Sequence, residues 1–253
     1  MKNLITILVV ALGLLLPTAG TASVARSSAS PEVTTSTVSI PVLCYHVVST
    51  NPSGRYQLAL SKFQEQMAYL ASNGFTTLSA DEYYSIMTLQ TPAPAKPILL
   101  TFDDSTADFA THVVPVLRQY GFKATQFAVS GWVNNPGYLT SAQLQSLATE
   151  GYDIQNHTQT HADLSTLTYA DAYGEVASAD SFITSAVGKK PEFLAYPYGR
   201  TDASAQTALR DVGVKMAFTV SAGKTTPADN FLALNRNMIV SSETLSSFIK
   251  KVN

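Results

Sequence analysis

The stretch Lys96-Pro97-Ile98-Leu99-Leu100-Thr101-Phe102-Asp103-Asp104-Ser105, "KPILLTFDDS", decides the fold. Its apolar run reads as a strand buried on both faces, the kind that builds parallel sheets. It ends on two adjacent carboxylates, in a chain whose charged residues make up only 13%. In parallel α/β folds the carboxyl ends of the strands carry the chemistry, so acids at that point mark a candidate site. Taken alone, the pair also reads as a helix N-cap before "STADFATHVV", favoured by the helix dipole.

Strand and helix patterns alternate on either side of this stretch. A β-branched run over 40–48 reads as a strand. "SKFQEQMAYLASNGF" follows, with Phe63, Met67 and Leu70 at helical spacing, Ser61 as N-cap and Gly74 as terminator. "DEYYSIMTL" begins a short helix, and "STADFATHVVPVLRQYG" reads as helical up to Gly121. The strands "KATQFAV", "YDIQNH", "PEFLAYPYG" and "VKMAFTV" alternate with the helices "TSAQLQSLATEG", "TYADAYGEVASADSFITSAVG" and "DASAQTALRDVG", and "SETLSSFIKKV" is a final helix. The alternation predicts one parallel α/β domain over 39–253, in the size range of barrel folds. Polar clusters fall at four strand ends: His46, Asp103-Asp104, Asn156-His157 and Pro197-Tyr198-Gly199.

Composition narrows the function. The net charge of −2 supplies no basic field for nucleic acid, and the low charge suits an uncharged, hydroxyl-rich substrate. Residues 1–25 read as a signal peptide: Lys2, the apolar run "LITILVVALGLLL", then small residues with cleavage after Ala22 or Ala25. The run is short for a stable membrane span, and an uncleaved anchor is the alternative. Residues 26–38 read as a polar linker. The protein is therefore expected to be exported, to the cell surface, the periplasm or the medium. Cys44 is the only cysteine, so an internal disulfide and a cysteine-based zinc site are both excluded.

A metal would have to be held by histidine and carboxylate, and the chain has only His46, His112, His157 and His161. In "NHTQTH", His157 and His161 stand four apart directly after a strand. On a helix or a tight turn that spacing lets both imidazoles reach one ion, although such pairs also occur on surfaces by chance. Two histidines and one carboxylate leave positions open for water and substrate, with Asp103 or Asp104 as third ligand and the other free to act as a base. His112, inside a helix pattern, reads as structural or exposed. Trp132, the only tryptophan, lies in a loop and either stacks on a sugar or packs beneath that loop.

"LTFDD", "NHTQTH" and "FLAYPYG" together, in that order, resemble the motifs of the polysaccharide deacetylases, the NodB-homology domain of carbohydrate esterase family 4. The resemblance spans roughly 40–240 and implies a distorted (β/α)7 barrel. It implies a metal-dependent hydrolase that removes N-acetyl groups from N-acetylglucosamine-containing polysaccharide, with zinc the first choice of metal and cobalt or nickel also suited. It implies Asp103 as catalytic base, Asp104, His157 and His161 as metal ligands, and substrate contacts at Pro197 and Tyr198 in the third motif. Two departures stand out. Family members place a late Leu-x-x-His motif, and this chain has no histidine after His161. "PVLCYHVV", however, resembles the opening of the biofilm poly-N-acetylglucosamine deacetylase branch, where that motif sits at the N-terminus. His46 then takes the place of the acid, or else is a hydrogen-bonded core residue. Ala195 stands where many members carry an arginine that orients the base, and Arg236 is the candidate substitute or an ordinary ion-pair residue. An acetyl xylan esterase using the same site is a second enzyme reading. A non-catalytic glycan-binding module on a decayed deacetylase fold is the reading from another class.

Overall fold

A computed structural model describes residues 38–253; the expected signal peptide and all but the last residue of the expected linker lie outside that range. In chain order the strands are β1 (Ile40–Tyr45), β2 (Val47–Ser49), β3 (Gln57–Ala59), β4 (Thr76–Thr77), β5 (Pro97–Phe102), β6 (Thr125–Ala128), β7 (Asp153–Asn156), β8 (Phe193–Ala195), β9 (Met216–Phe218), β10 (Lys224–Thr225) and β11 (Asn237–Met238). The helices are α1 (Leu60–Ser72), α2 (Ala80–Met87), α3 (Val114–Tyr120), α4 (Ser141–Thr149), α5 (Tyr169–Val187), α6 (Ala203–Val212) and α7 (Leu245–Val252). β1, β5, β6, β7, β8 and β9 form a parallel sheet in that order. β11 adds a seventh parallel strand on β1, and Leu234 makes a parallel bridge to Phe218 on β9. The segment from Leu234 to Met238 thus touches both edge strands, and the sheet curls into the single-domain, barrel-like α/β fold expected from the sequence.

Strand alternation sorts the core and then builds the site. Successive side chains point to opposite faces. Val42 and Leu99 pack with Phe127, Phe193, Met216, Phe218 and Leu234 on one face, while Leu43, Leu100 and Phe102 pack with α1, α3 and α4 on the other. With both faces covered, β1 and β5 are apolar almost throughout, which is why the sequence shows unbroken runs there. The alternation that buries Val42 and Leu99 on the inner face carries Cys44, His46, Thr101 and Asp103 onto the same face, further toward the strand ends. Helix α2 packs against strand starts: the Ala80 N–H donates to Asp153 at 2.7 Å, and the Tyr83 hydroxyl to Thr225 at 2.7 Å.

Three local expectations change. Helix α1 begins at Leu60 with Ala59 as its cap residue and no side-chain cap bond, so Ser61 lies inside the first turn. The segment after Asp104 is not helical from Ser105: it turns first, then forms a single π-helical turn, Phe109–Val113, before α3. The expected strand over 40–48 is broken at His46 into β1 and β2. Other boundaries follow local chemistry, with reciprocal capping boxes at Ser79–Glu82 and Thr140–Gln143.

Candidate active site

At the end of β5 the Asp103 N–H still donates to the Tyr45 carbonyl at 3.0 Å, extending the ladder with β1. Its side chain is 3% exposed and faces Arg236, which is fully buried. The pair is bidentate: Nη1 donates to Oδ1 at 2.7 Å and Nη2 to Oδ2 at 2.8 Å. Arg236 is itself held, with Nε donating to the Thr219 carbonyl at 3.0 Å and Nη1 to Thr101 Oγ1 at 3.1 Å. The Cys44 thiol adds a donor to Asp103 Oδ2 at 3.4 Å. Burial works to raise the Asp103 pKa, but Arg236 and then His157 outweigh it and hold the carboxyl well below its usual range.

Asp104 should point away from Asp103 by strand alternation. It does not, because Asp104 (φ 77°) and Ser105 (φ 53°) are both left-handed and turn the chain back on itself. Asp104 Oδ1 lies 3.5 Å from His157 Nε2 and 3.5 Å from His161 Nε2. It is buried and has no hydrogen-bond partner. His157 follows β7 and is fixed by its other nitrogen, with Nδ1 2.7 Å from the Ala195 carbonyl oxygen, which only accepts. Nδ1 therefore carries the proton and Nε2 presents its lone pair to the site.

His157 and His161 do converge, but not on a helix. The loop between them has left-handed residues at Thr158 (φ 68°) and His161 (φ 62°). Side chains from other elements stabilise that backbone. Asn156 accepts from the Thr158 N–H at 2.7 Å, and Glu175 on α5 accepts from the Gln159 and Thr160 N–H groups at 3.1 and 2.9 Å. The Gly131 N–H donates to the Gln159 carbonyl at 2.8 Å, an approach so close that a Cβ on Gly131 would lie 2.6 Å from that oxygen. The His161 ring sits between Trp132, stacked at 5.1 Å, and Tyr198, edge-on at 4.8 Å.

Burial lowers the His161 pKa, and the neighbouring His157 lowers it further. Burial also opposes charge on His157, yet Asp103 and Asp104 together raise its pKa. For Asp104, burial is outweighed by His157 and the net shift is downward. One carboxylate oxygen and two imidazole nitrogens within 4.8 Å of one another, with that oxygen otherwise unpartnered, fit a divalent cation.

The remaining expected residues are placed as follows. His46 sits in the break between β1 and β2, and one of its ligand-type atoms lies within 4.8 Å of Cys44 and Asp103. Burial leads the lowering of its pKa, against the two aspartates. Tyr198 is 60% exposed on the rim, in the left-handed conformation (φ 59°). Together with His46, Asp103, Asp104, His157, His161, Arg236 and the apolar Val220 and Met238, it lines a cleft of about 210 Å³. Tyr56 also lines the cleft, stacked 5.0 Å from the His46 ring; it did not stand out in the sequence, where it lies in a polar loop. Pro197 is buried and shapes the turn beneath Tyr198 without lining the cleft. Trp132 does not line it either and packs against His161. His112 is half-buried and bonded to backbone, in keeping with its structural reading.

The chain is similar to known proteins. Over 209 residues the chain is 29% identical to polysaccharide deacetylase YxkH as named in Bacillus subtilis (strain 168), a match covering 83% of this chain and 74% of the relative. It is 22% identical over 223 residues to the poly-beta-1,6-N-acetyl-D-glucosamine N-deacetylase of Staphylococcus aureus (strain MRSA252), covering 82% and 76%. The fold is that of the Streptococcus pyogenes deacetylase PplD in complex with acetate, with a TM-score of 0.81 at 24% identity over 86% of this chain and 99% of that one. The profile of the polysaccharide deacetylase family matches residues 90–217, from the approach to β5 through β9, and the chain belongs to that family of hydrolases.

Proposed function

We propose that this polysaccharide deacetylase uses a divalent metal to remove N-acetyl groups from an N-acetylglucosamine polymer, with the β-1,6-linked biofilm type or chitin-like chains as substrate. The observation that carries this reading is the split of the two aspartates. Asp103 is locked by Arg236, while Asp104 Oδ1 is left unpartnered between His157 and His161, all facing one cleft. Asp104, His157 and His161 would hold the ion, zinc by preference and cobalt or nickel also suited. When bound, the ion would supply Lewis-acid polarisation of the acetyl carbonyl and of the attacking water. Asp103 takes the proton from the attacking water, and the bidentate grip of Arg236 keeps its carboxylate aimed and ionised. His46 gives a proton to the departing sugar amine. Tyr198 and the turn at Pro197 border the substrate, and Trp132 backs His161.

Two observations support the roles given to Arg236 and His46 where the chain departs from the family pattern. Arg236 grips Asp103 through both oxygens, and a ring nitrogen of His46 lies within 4.8 Å of Asp103. Completeness of the set also speaks for catalysis over glycan binding alone, since binding has no need of a buried base beside a metal site. Export to the cell surface, periplasm or medium remains part of the proposal, resting on residues 1–25. No helix among the described residues is long and apolar enough to cross a membrane. The test is acetate release from N-acetylglucosamine oligomers and from acetylated xylan, after chelation and after adding back zinc or cobalt. Metal-dependent release from the amino sugar supports the reading. Release from xylan alone would replace it with the esterase, and no release from either would defeat it.

A further inference from the structure

Two side chains outside the proposed reaction, Asp108 and His112, close on a single backbone residue. The Val48 N–H donates to Asp108 Oδ2 at 2.7 Å, and the Val48 carbonyl oxygen lies 2.7 Å from His112 Nδ1, which must therefore carry the proton. Both residues come from one place: Asp108 immediately precedes the π-helical turn Phe109–Val113, and His112 lies within it. Single π-turns concentrate at functional positions. Within β2 the Val47 N–H donates to the Tyr56 carbonyl just before β3. Alternate residues of a strand turn their polar groups to opposite edges, so Val48 faces away from β3. Val48 is fully buried, and the two side chains satisfy backbone groups that would otherwise be costly to bury.

This clamp bears on His46, two residues earlier. The ring of His46 lacks the anchor that His157 has: its Nδ1 is buried with no hydrogen-bond partner. Its visible constraints are the stack with Tyr56, 5.0 Å away at 25°, and the backbone that leads into β2. The ring's backbone leaves the main sheet at Tyr45, the end of β1, and enters a small separate two-stranded sheet at β2, where side chains from the barrel hold it. We propose that Asp108 and His112 are positioning residues for His46, fixing β2 so that the imidazole stands beside Asp103 in the cleft. The proposal rests on the reading of His46 as the acid.

A double-mutant cycle separates the two ideas. His112→Phe and Asp108→Ala should each lower kcat on an N-acetylglucosamine oligomer by on the order of ten- to a hundredfold, the scale of a misplaced catalytic group. KM and cobalt affinity should stay at the parent level. His112→Asn and Asp108→Asn keep a donor and an acceptor at similar reach and should retain most of the rate. In a His46→Ala background, His112→Phe should add no further loss. Parent-like kcat in both His112→Phe and Asp108→Ala, with His46→Ala impaired, overturns the clamp and leaves His46 standing. Additive losses in the double variant also overturn it, because a general structural defect does not depend on His46. Full turnover in His46→Ala removes the acid reading, and the clamp's function with it. If His112→Phe fails to fold, Asp108→Ala and the two asparagine variants complete the same cycle.

Discussion

On the inner side of the cleft, Asp103 is 3% exposed, with both oxygens on Arg236 and the Cys44 thiol on one of them. One residue later, the Asp104 side chain is 22% exposed and its Oδ1 has two imidazole nitrogens at 3.5 Å but no hydrogen bond. The residue type and the strand end are shared, so environment alone separates them. The Asp103 side is completed by the protein's own cation, and the Asp104 side is the one proposed to take a metal ion. The two sides should therefore fail differently. Removing a partner on the Asp103 side should harm the fold, and removing one on the Asp104 side should harm ion binding.

The strongest way to break this comparison is Arg236→Met. It leaves a buried carboxylate without its counter-charge, which costs about 3–5 kcal/mol. Urea unfolding of the chelated protein should show that loss, and turnover should fall with it. A change below about 1 kcal/mol, the range of exposed pairs, would mean that Asp103 has reached water and is not the locked base described. The paired asparagine substitutions come next. Asp103→Asn should keep cobalt affinity near the parent value and lose about 10²–10⁴-fold in turnover, the span of general-base catalysis. Asp104→Asn should instead lose cobalt affinity first and leave the stability of the chelated protein little changed. Cobalt titration and acetate release on both variants decide it, and a swapped result would exchange the two roles.

Acid gives a finer test of the same asymmetry. The folded pKa of Asp103 lies well below the unfolded value of about 4, the shift due to Arg236 and His157 overcoming burial. For a depressed carboxyl, the stabilising contribution is fully present above the unfolded pKa and is lost as pH falls toward the folded one. The unfolding free energy of the chelated protein should therefore decline on acidification below pH about 4. Arg236→Met should flatten that decline. An equal acid slope in the variant would assign it to other carboxylates.

How much of this could be read from the sequence divides along the same line. The Asp103 side is strand-built: continuous apolar runs announce β1 and β5, and period-two alternation carries Cys44, His46 and Asp103 to one face. Arg236 could be suspected as a cation beside a strand-like segment, but its pairing with Asp103 comes only from the family resemblance, because 133 residues separate the two and no local pattern links them. The Asp104 side is loop-built, and there local pattern leaves the backbone open. Four-residue spacing of His157 and His161 fits a helix or a tight turn, and the structure uses a turn with left-handed Thr158 and His161, held by Asn156, Glu175 and the close approach of Gly131. Left-handed Asp104 and Ser105 are nearly as silent: aspartate is enriched at positive φ, but the residue type alone does not fix the turn, and serine has no such preference. The π-helical turn and the absent side-chain cap of α1 are tertiary outcomes of the same kind.

The smallest effect sharpens the Asp104 side further. Trp132 reads in the sequence either as a sugar platform or as packing, and its ring stacks on His161 at 5.1 Å without lining the cleft. An aromatic contact of that kind contributes about 0.5–1.5 kcal/mol. If its role is to hold His161 in place, Trp132→Ala should weaken cobalt binding by up to roughly tenfold, the same energy expressed as an equilibrium. KM for the oligosaccharide, measured at saturating metal, should stay unchanged, and Trp132→Phe should recover most of the affinity. A raised KM with unaltered cobalt binding would move Trp132 from the ligand side to the substrate side. The loop between His157 and His161 would then be stiffened by Asn156, Tyr198, Glu175 and Gly131, and the Asp104 side would be less dependent on aromatic packing than its geometry suggests.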